Sequence, residues 1–176
     1  MLQIIQAIDA ELKPEIEENL RTLLHDAFDG DFSEEDWQHT CGGTRFLGSL
    51  DNNLVAHGAV IERPMRINDL EMKVGYIEGI AVSPEHWRKG FGSLLMSEIT
   101  SFCKSELAVS MLSTDEHLFY LNHGWQPFDG KSYVLVDEIE VRSEDEDAGL
   151  MYLLGLNEGT QVPRKAVCNA RGGDAW

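Results

Sequence analysis

The stretch "VGYIEGIAVSPEHWRKGFGSLLMSEITSFC", residues 74–103, holds two hydrophobic rhythms joined by a short polar turn. Its first part, within "MKVGYIEGIAV", is almost continuously apolar, the pattern of a central strand buried on both faces. From Phe91 onward, Phe91, Leu94, Leu95, Ile99, Phe102 and Cys103 recur at helical spacing and predict one buried stripe of a helix. Between the two, "RKGFGS" places Gly90 and Gly92 where strand gives way to helix. Glycines remove Cβ atoms where a backbone can meet a ligand closely. Free amides at a helix N-terminus, with the dipole behind them, bind phosphate oxygens. Arg88 and Lys89 add positive charge in a chain with 14 basic and 31 acidic residues. The loop has neither the GK[ST] of a Walker loop nor the third glycine of a dinucleotide fingerprint. It reads as a pyrophosphate site, with a tight strand-to-helix connection as the alternative.

Outward from this unit, "LQIIQAI" predicts a first strand, and residues 14–28 carry a helical stripe of Ile16, Leu20, Leu23, Leu24, Ala27 and Phe28. "DGDFSEEDWQHT" turns and starts a short helix, with Ser33 and Asp36 as its capping box. "GGTRFLGSL" and "LVAHGAVIERP" read as strands separated by the turn "DNN". Beyond residue 103, "LAVSMLS" predicts a strand, "EHLFYLNHG" a short helix closed by Gly124, and "SYVLVDEI" one further strand. "VRSEDEDAGLMYLL" reads as an acidic loop leading into a short apolar stretch. The alternation predicts an α/β domain over 1–176, one mixed sheet with helices on both faces.

Composition narrows the function. A net charge of −17 argues against nucleic acid and against anionic membrane as partners, since both require basic surface. It favours cations in any acidic cleft, although solubility alone also accounts for it. Charges spread through residues 1–20 leave no signal peptide or membrane span there, so a cytoplasmic location is expected. Cys41, Cys103 and Cys168 stand at unrelated spacings and offer neither a disulfide framework nor a C-x-x-C site. His57, His86, His117 and His123 show no metal-ligand spacing, so no metal is expected. Glu78 stands out as a carboxylate inside an apolar strand, where an unpaired charge is costly. It reads as a general base, with an ion-paired or substrate-binding Glu as the alternatives.

"GYIEGIAVSPEHWRKGFGSLL" followed by "FYLNHGW" at 119–125 resembles the Gcn5-related N-acetyltransferases (GNAT). "FDGDFSEEDWQHTCGG" (28–43), "VGYIEG" (74–79), "YLNHGW" (120–125) and the terminal "CNARGGDAW" are similar to one branch, the aminoglycoside 2′-N-acetyltransferases. The resemblance covers most of the chain. It implies a twisted, mostly antiparallel sheet, acetyl-CoA as co-substrate, a cationic amino-sugar antibiotic as acceptor and a homodimer. The likeness departs at Trp87, where the cofactor loop usually opens on Arg or Gln, and at Asn169 in place of an Asp. The segment from Ser113 to Tyr120 also looks shorter. The last two departures point towards a less cationic or differently shaped antibiotic, such as kasugamycin.

The resemblance assigns roles residue by residue. Ile80, Ala81 and Val82 would hold pantetheine, and Arg88, Lys89, Gly90, Phe91, Gly92 and Ser93 the pyrophosphate. Glu78 would be the base, through a water, and Tyr120 the acid that protonates the leaving sulfur. Asp31, Asp36, Glu78, Gly79, Ser113, Asp147, Asp174 and Trp176 would face the acceptor. The C-terminal segment is expected to fold back into the acceptor site, offering its α-carboxylate to ammonium and hydroxyl groups. Transfer would be by direct attack, since no cysteine lies at a matched position. The rival readings are acetylation of another small amine or a peptide, or a non-catalytic sensor of acyl-CoA or cations.

Overall fold

The computed structural model describes residues 1–156 and 159–176. The chain divides into two compact units, Met1–Ile61 with Ile77–Ile99, and Glu62–Tyr76 with Thr100–Trp176. Two long strands, β3 (Asn53–Ile67) and β4 (Leu70–Val82), run through both.

In the first unit β1 (Gln3–Ile8) pairs antiparallel with β2 (Thr44–Leu50), and β2 pairs antiparallel with β3. Helix α1 (Pro14–Ala27) starts on a proline, whose missing N–H costs nothing in the first turn. Its Leu20, Leu23 and Leu24 pack with Trp37, Leu47 and Ala81 into one apolar cluster. Helix α2 (Glu34–His39) opens on the expected capping box: Ser33 Oγ accepts from the Asp36 amide, and the Asp36 carboxylate accepts from the Ser33 amide. The first half of α3 (Phe91–Glu106) lies close over β3, where a Cβ on Gly58 would stand 2.6 Å from Ile99 Cδ1. The buried stripe of α3 is Leu95, Met96, Ile99 and Cys103. Leu94, expected inside, is 51% exposed, and Met96, two residues on, is buried instead.

In the second unit the strand order is β6-β9-β5-β4-β3-β10-β7-β8, with β5 (Val109–Ser113), β6 (Gln126–Pro127), β7 (Lys131–Val136), β8 (Ile139–Arg142), β9 (Leu150–Leu154) and β10 (Lys165–Asn169). The β4–β5 and β10–β7 pairs are parallel and the β10–β3, β5–β9, β6–β9 and β7–β8 pairs antiparallel, giving the mixed, mostly antiparallel sheet expected. The stretch "SYVLVDEI" is not one strand: Asp137 and Glu138 both take left-handed φ values, 48° and 65°, and fold it into the β7–β8 hairpin. Two consecutive left-handed residues match the right-handed twist of the flanking strands. Helix α4 (His117–Leu121) is followed by a turn through Gly124, whose φ is +88°. Trp125, next in the chain, is fully buried and its indole donates to Thr100 Oγ1 at 3.0 Å. No helix among the described residues is long and apolar enough to cross a membrane.

Candidate active site

In β4, Glu78 is half-buried, following a fully buried run from Val74 to Ile77. Gly79 breaks the strand geometry with a φ of +59°, and a Cβ there would meet Thr40 Cγ2 at 2.8 Å. Only glycine fits both the left-handed backbone and the space. The Gly79 carbonyl accepts from His57 Nδ1 at 2.7 Å. His57 is fully buried on β3, and burial depresses its pKa to about 3. Its other nitrogen faces Arg45 NH1 at 3.0 Å. Arg45 is likewise buried, paired with Asp9 and hydrogen-bonded to Thr40 Oγ1 at 3.0 Å, and its guanidinium lies 4.8 Å from the Trp37 ring. Sequence reading assigned His57 nothing and missed Arg45 and Asp9. The available signal was Arg45 within "TRFLGSL" and His57 within the apolar run "LVAHGAVI".

Beyond Glu78 the chain runs through Ile80, Ala81 and Val82 to the end of β4. The parallel ladder of β4 to β5 covers Gly75 and Tyr76 and stops there. After a 3-10 turn at Pro84–His86, the Trp87 indole donates to the Val82 carbonyl at 2.6 Å and closes the turn on itself. That bond gives Trp87 a local structural task at the position where the resemblance leads one to expect Arg or Gln. Arg88 (φ +59°) and Gly90 (φ +82°) are left-handed, and a Cβ on Gly90 would meet nothing within 4 Å. The backbone at Gly90 is therefore openly approachable. Helix α3 begins at once, its first bond running from the Leu94 amide to the Gly90 carbonyl at 3.1 Å. The amides of Phe91, Gly92 and Ser93 consequently belong to the first turn, where a helix has no internal acceptors for them. Exposed Arg88 and Lys89 stand beside them. Open backbone, first-turn amides and two cations fit a pyrophosphate.

Of the acids expected to face the acceptor, Asp31 is exposed just past the left-handed pair Asp29 and Gly30. Asp36 uses one carboxylate oxygen for the Ser33 amide, at 2.8 Å, and the Ser33 hydroxyl, at 2.7 Å. Glu34 belongs to the surface, where it pairs with Arg21 at 2.7 Å.

In the second unit Tyr120 is buried on α4, edge-on to Phe119 and Trp125. Burial, and after it the charge of Glu116, pushes its phenol up to about 12, so the hydroxyl keeps its proton throughout the physiological range. Ser113 is exposed at the end of β5. Asp147 is bound to Arg142 and accepts from the Ser132 amide at 2.9 Å and the Ser132 hydroxyl at 2.6 Å. Burial raises the Asp147 carboxyl, but Arg142 and Ser132 together hold it below the ordinary value. The last residues are tied down strongly. Trp176 is 4% exposed within the apolar cluster of Met65, Tyr76, Phe128 and Leu150, and its indole donates to Ser143 Oγ at 3.0 Å. The Trp176 amide donates to Asp174 Oδ1 at 3.1 Å, and Arg63 donates to the Ala175 carbonyl at 2.7 Å. Glu146, which the sequence reading passed over within "SEDED", has its carboxyl raised by burial and then by the charges of Asp174 and Asp145. Among the described residues, no group of three or more His, Cys, Asp or Glu side chains is arranged to hold a metal.

The model of the acetyltransferase (GNAT) family matches residues 6–125. An aminoglycoside 2′-N-acetyltransferase of Mycolicibacterium fortuitum is 32% identical over 173 residues, 95% of this chain and 88% of that protein. Among solved structures, the GNAT N-acetyltransferase YhbS of Escherichia coli, in complex with CoA, has a TM-score of 0.66 at 13% identity, covering 96% of this chain and 91% of that one. A GNAT acetyltransferase of Brucella melitensis, in complex with acetyl-CoA, has a TM-score of 0.56 at 18% identity, with 72% and 83% covered. The chain is short beside other solved relatives, spanning 34% of the length of a GCN5-related N-acetyltransferase from Kribbella flavida. With the family model matched over more than half its length and a relative similar from end to end, the chain belongs to the GNAT family of acetyltransferases.

Proposed function

We propose that the protein transfers acetyl from acetyl-CoA to an amine of an aminoglycoside-type antibiotic, by direct attack and at the 2′ position. The observation that carries the transfer chemistry is the continuous run Glu78–Ser93. A carboxylate stands within β4 just after its fully buried run, and beyond the strand and a 3-10 turn an open left-handed turn feeds the first-turn amides of α3. The support for an amino sugar is the end-to-end likeness to an aminoglycoside 2′-N-acetyltransferase.

The amino group arrives as ammonium, and only the neutral amine attacks. Glu78, through a water, first takes one proton from the ammonium and passes it to solvent; the freed lone pair then adds to the thioester carbonyl carbon, and the adduct's surplus N–H proton leaves by the same water. The C–S bond then breaks and CoA leaves as thiolate. Ile80, Ala81 and Val82 would hold pantetheine as an added strand, and Arg88–Ser93 the pyrophosphate. Tyr120, kept protonated by burial, has the form required of the donor to sulfur. Asp31 and Asp174 supply carboxylates suited to ammonium groups. A homodimer belongs to the same proposal, and sedimentation of the purified protein would test it.

The test is release of free thiol from acetyl-CoA against 2-deoxystreptamine aminoglycosides, kasugamycin, spermidine and a short peptide. Turnover on an amino sugar, with the acetylated nitrogen located by NMR of the product, is expected. Turnover confined to spermidine or peptide would keep the chemistry and remove the antibiotic. Glu78→Gln is expected to lower kcat/KM roughly 10²- to 10⁴-fold on the best acceptor, with the fold unchanged by circular dichroism.

A further inference from the structure

The first unit buries a polar chain that the transfer chemistry above leaves unused. Arg45 lies wholly inside, with Nε on Asp9, NH1 on Thr40 and His57, and NH2 3.3 Å from Cys41 Sγ. A guanidinium only donates, so the His57 nitrogen that faces it, Nε2, must be the acceptor. The imidazole proton therefore sits on Nδ1, and Nδ1–H donates to the Gly79 carbonyl at 2.7 Å. That carbonyl and the Ile80 amide are opposite ends of one rigid peptide plane. Gly79 itself has no side chain to hold its left-handed backbone, so its carbonyl is where the turn can be fixed.

We infer that His57 is a positioning residue, which uses the Asp9–Arg45 pair behind it to fix the Gly79–Ile80 peptide and with it the direction of Glu78. The inference rests on the proposed role of Glu78, and it extends that reading to a side chain that touches neither donor nor acceptor. Burial holds His57 neutral at any working pH, so the pin persists while ligands come and go.

Two near-isosteres separate positioning from mere filling of the core. In His57→Asn the side-chain amide can stand where Nδ1–H stood and keep the bond to Gly79, while Arg45 loses a partner. In His57→Gln the polar end reaches the Nε2 position and keeps Arg45 satisfied, but the bond to Gly79 is lost. Positioning predicts that His57→Gln loses roughly 10- to 100-fold in kcat, with both KM values little changed, and that His57→Asn retains most of it. A structural role predicts the reverse order, with activity following thermal stability, and that order would overturn the inference. The wild-type protein supplies a second readout should either variant fail to fold. Nitrogen-15 NMR of the assigned His57 ring should show a neutral imidazole protonated at Nδ1, and the Nε2-protonated form would sink the proposal. Glu78→Gln measured alongside keeps the two ideas apart. If it is as active as wild type, the base role of Glu78 fails, while the Asn and Gln variants still report whether Gly79 is pinned.

Discussion

Gly79 and His57 show how much a single position can decide. An alanine at Gly79 would combine a left-handed backbone with a Cβ 2.8 Å from Thr40 Cγ2. The backbone term alone costs about 1–2 kcal/mol, and the clash adds to it. Gly79→Ala should lower the urea midpoint well beyond the effect of an ordinary surface substitution. His57 makes a prediction about acid. Its pKa stands at about 3 in the folded chain against an ordinary 6.5. Between those values the unfolded chain binds a proton that the folded chain refuses. The stability it carries is therefore complete above pH 6.5 and is lost as pH falls towards 3, in total on the order of a few kcal/mol. Melting temperatures recorded from pH 7 to pH 4 should fall more steeply for the wild type than for His57→Asn, which has no imidazole to titrate.

At the scale of elements, the sequence was most legible where structure is local. The stripe of α1, apart from Phe28, which caps the helix and is exposed, the Ser33–Asp36 box and the glycine turn into α3 each depend on residues a few places apart, and each was found. Ser33→Ala removes the acceptor for the Asp36 amide and should cost about 1 kcal/mol, read from the chemical denaturation midpoint. Legibility ended where a partner lies far along the chain. Strand β10 owes its place to β3, about a hundred residues earlier, and to β7, and nothing in "KAVCN" announces either. The β7–β8 turn uses Asp–Glu instead of a glycine pair, so its left-handed backbone left no mark in composition. The candidate site divides in the same way. Glu78 and the loop at 88–93 could be proposed from sequence because the residues are contiguous, whereas Asp9, Arg45, His57 and Gly79 meet only through tertiary structure.

Across the whole molecule the excess of acid, −17, creates a field that gathers cations. The Debye length shrinks from about 10 Å at 0.1 M salt to about 3 Å at 1 M. On the proposed function, kcat/KM for a multiply charged amino sugar should fall steadily over that range, and for a singly charged amine much less. Initial rates at low acceptor concentration would show the difference. The chain also carries four tryptophans in two very different settings. Trp37, Trp125 and Trp176 are buried, while Trp87 is 51% exposed at the mouth of the loop assigned to pyrophosphate. An uncharged quencher such as acrylamide should thus dim one indole and spare three. Trp87 gives this protein an intrinsic optical reporter: on the proposed function, adding CoA to fill Arg88–Ser93 should lower the quenchable fraction of its fluorescence, with no label attached.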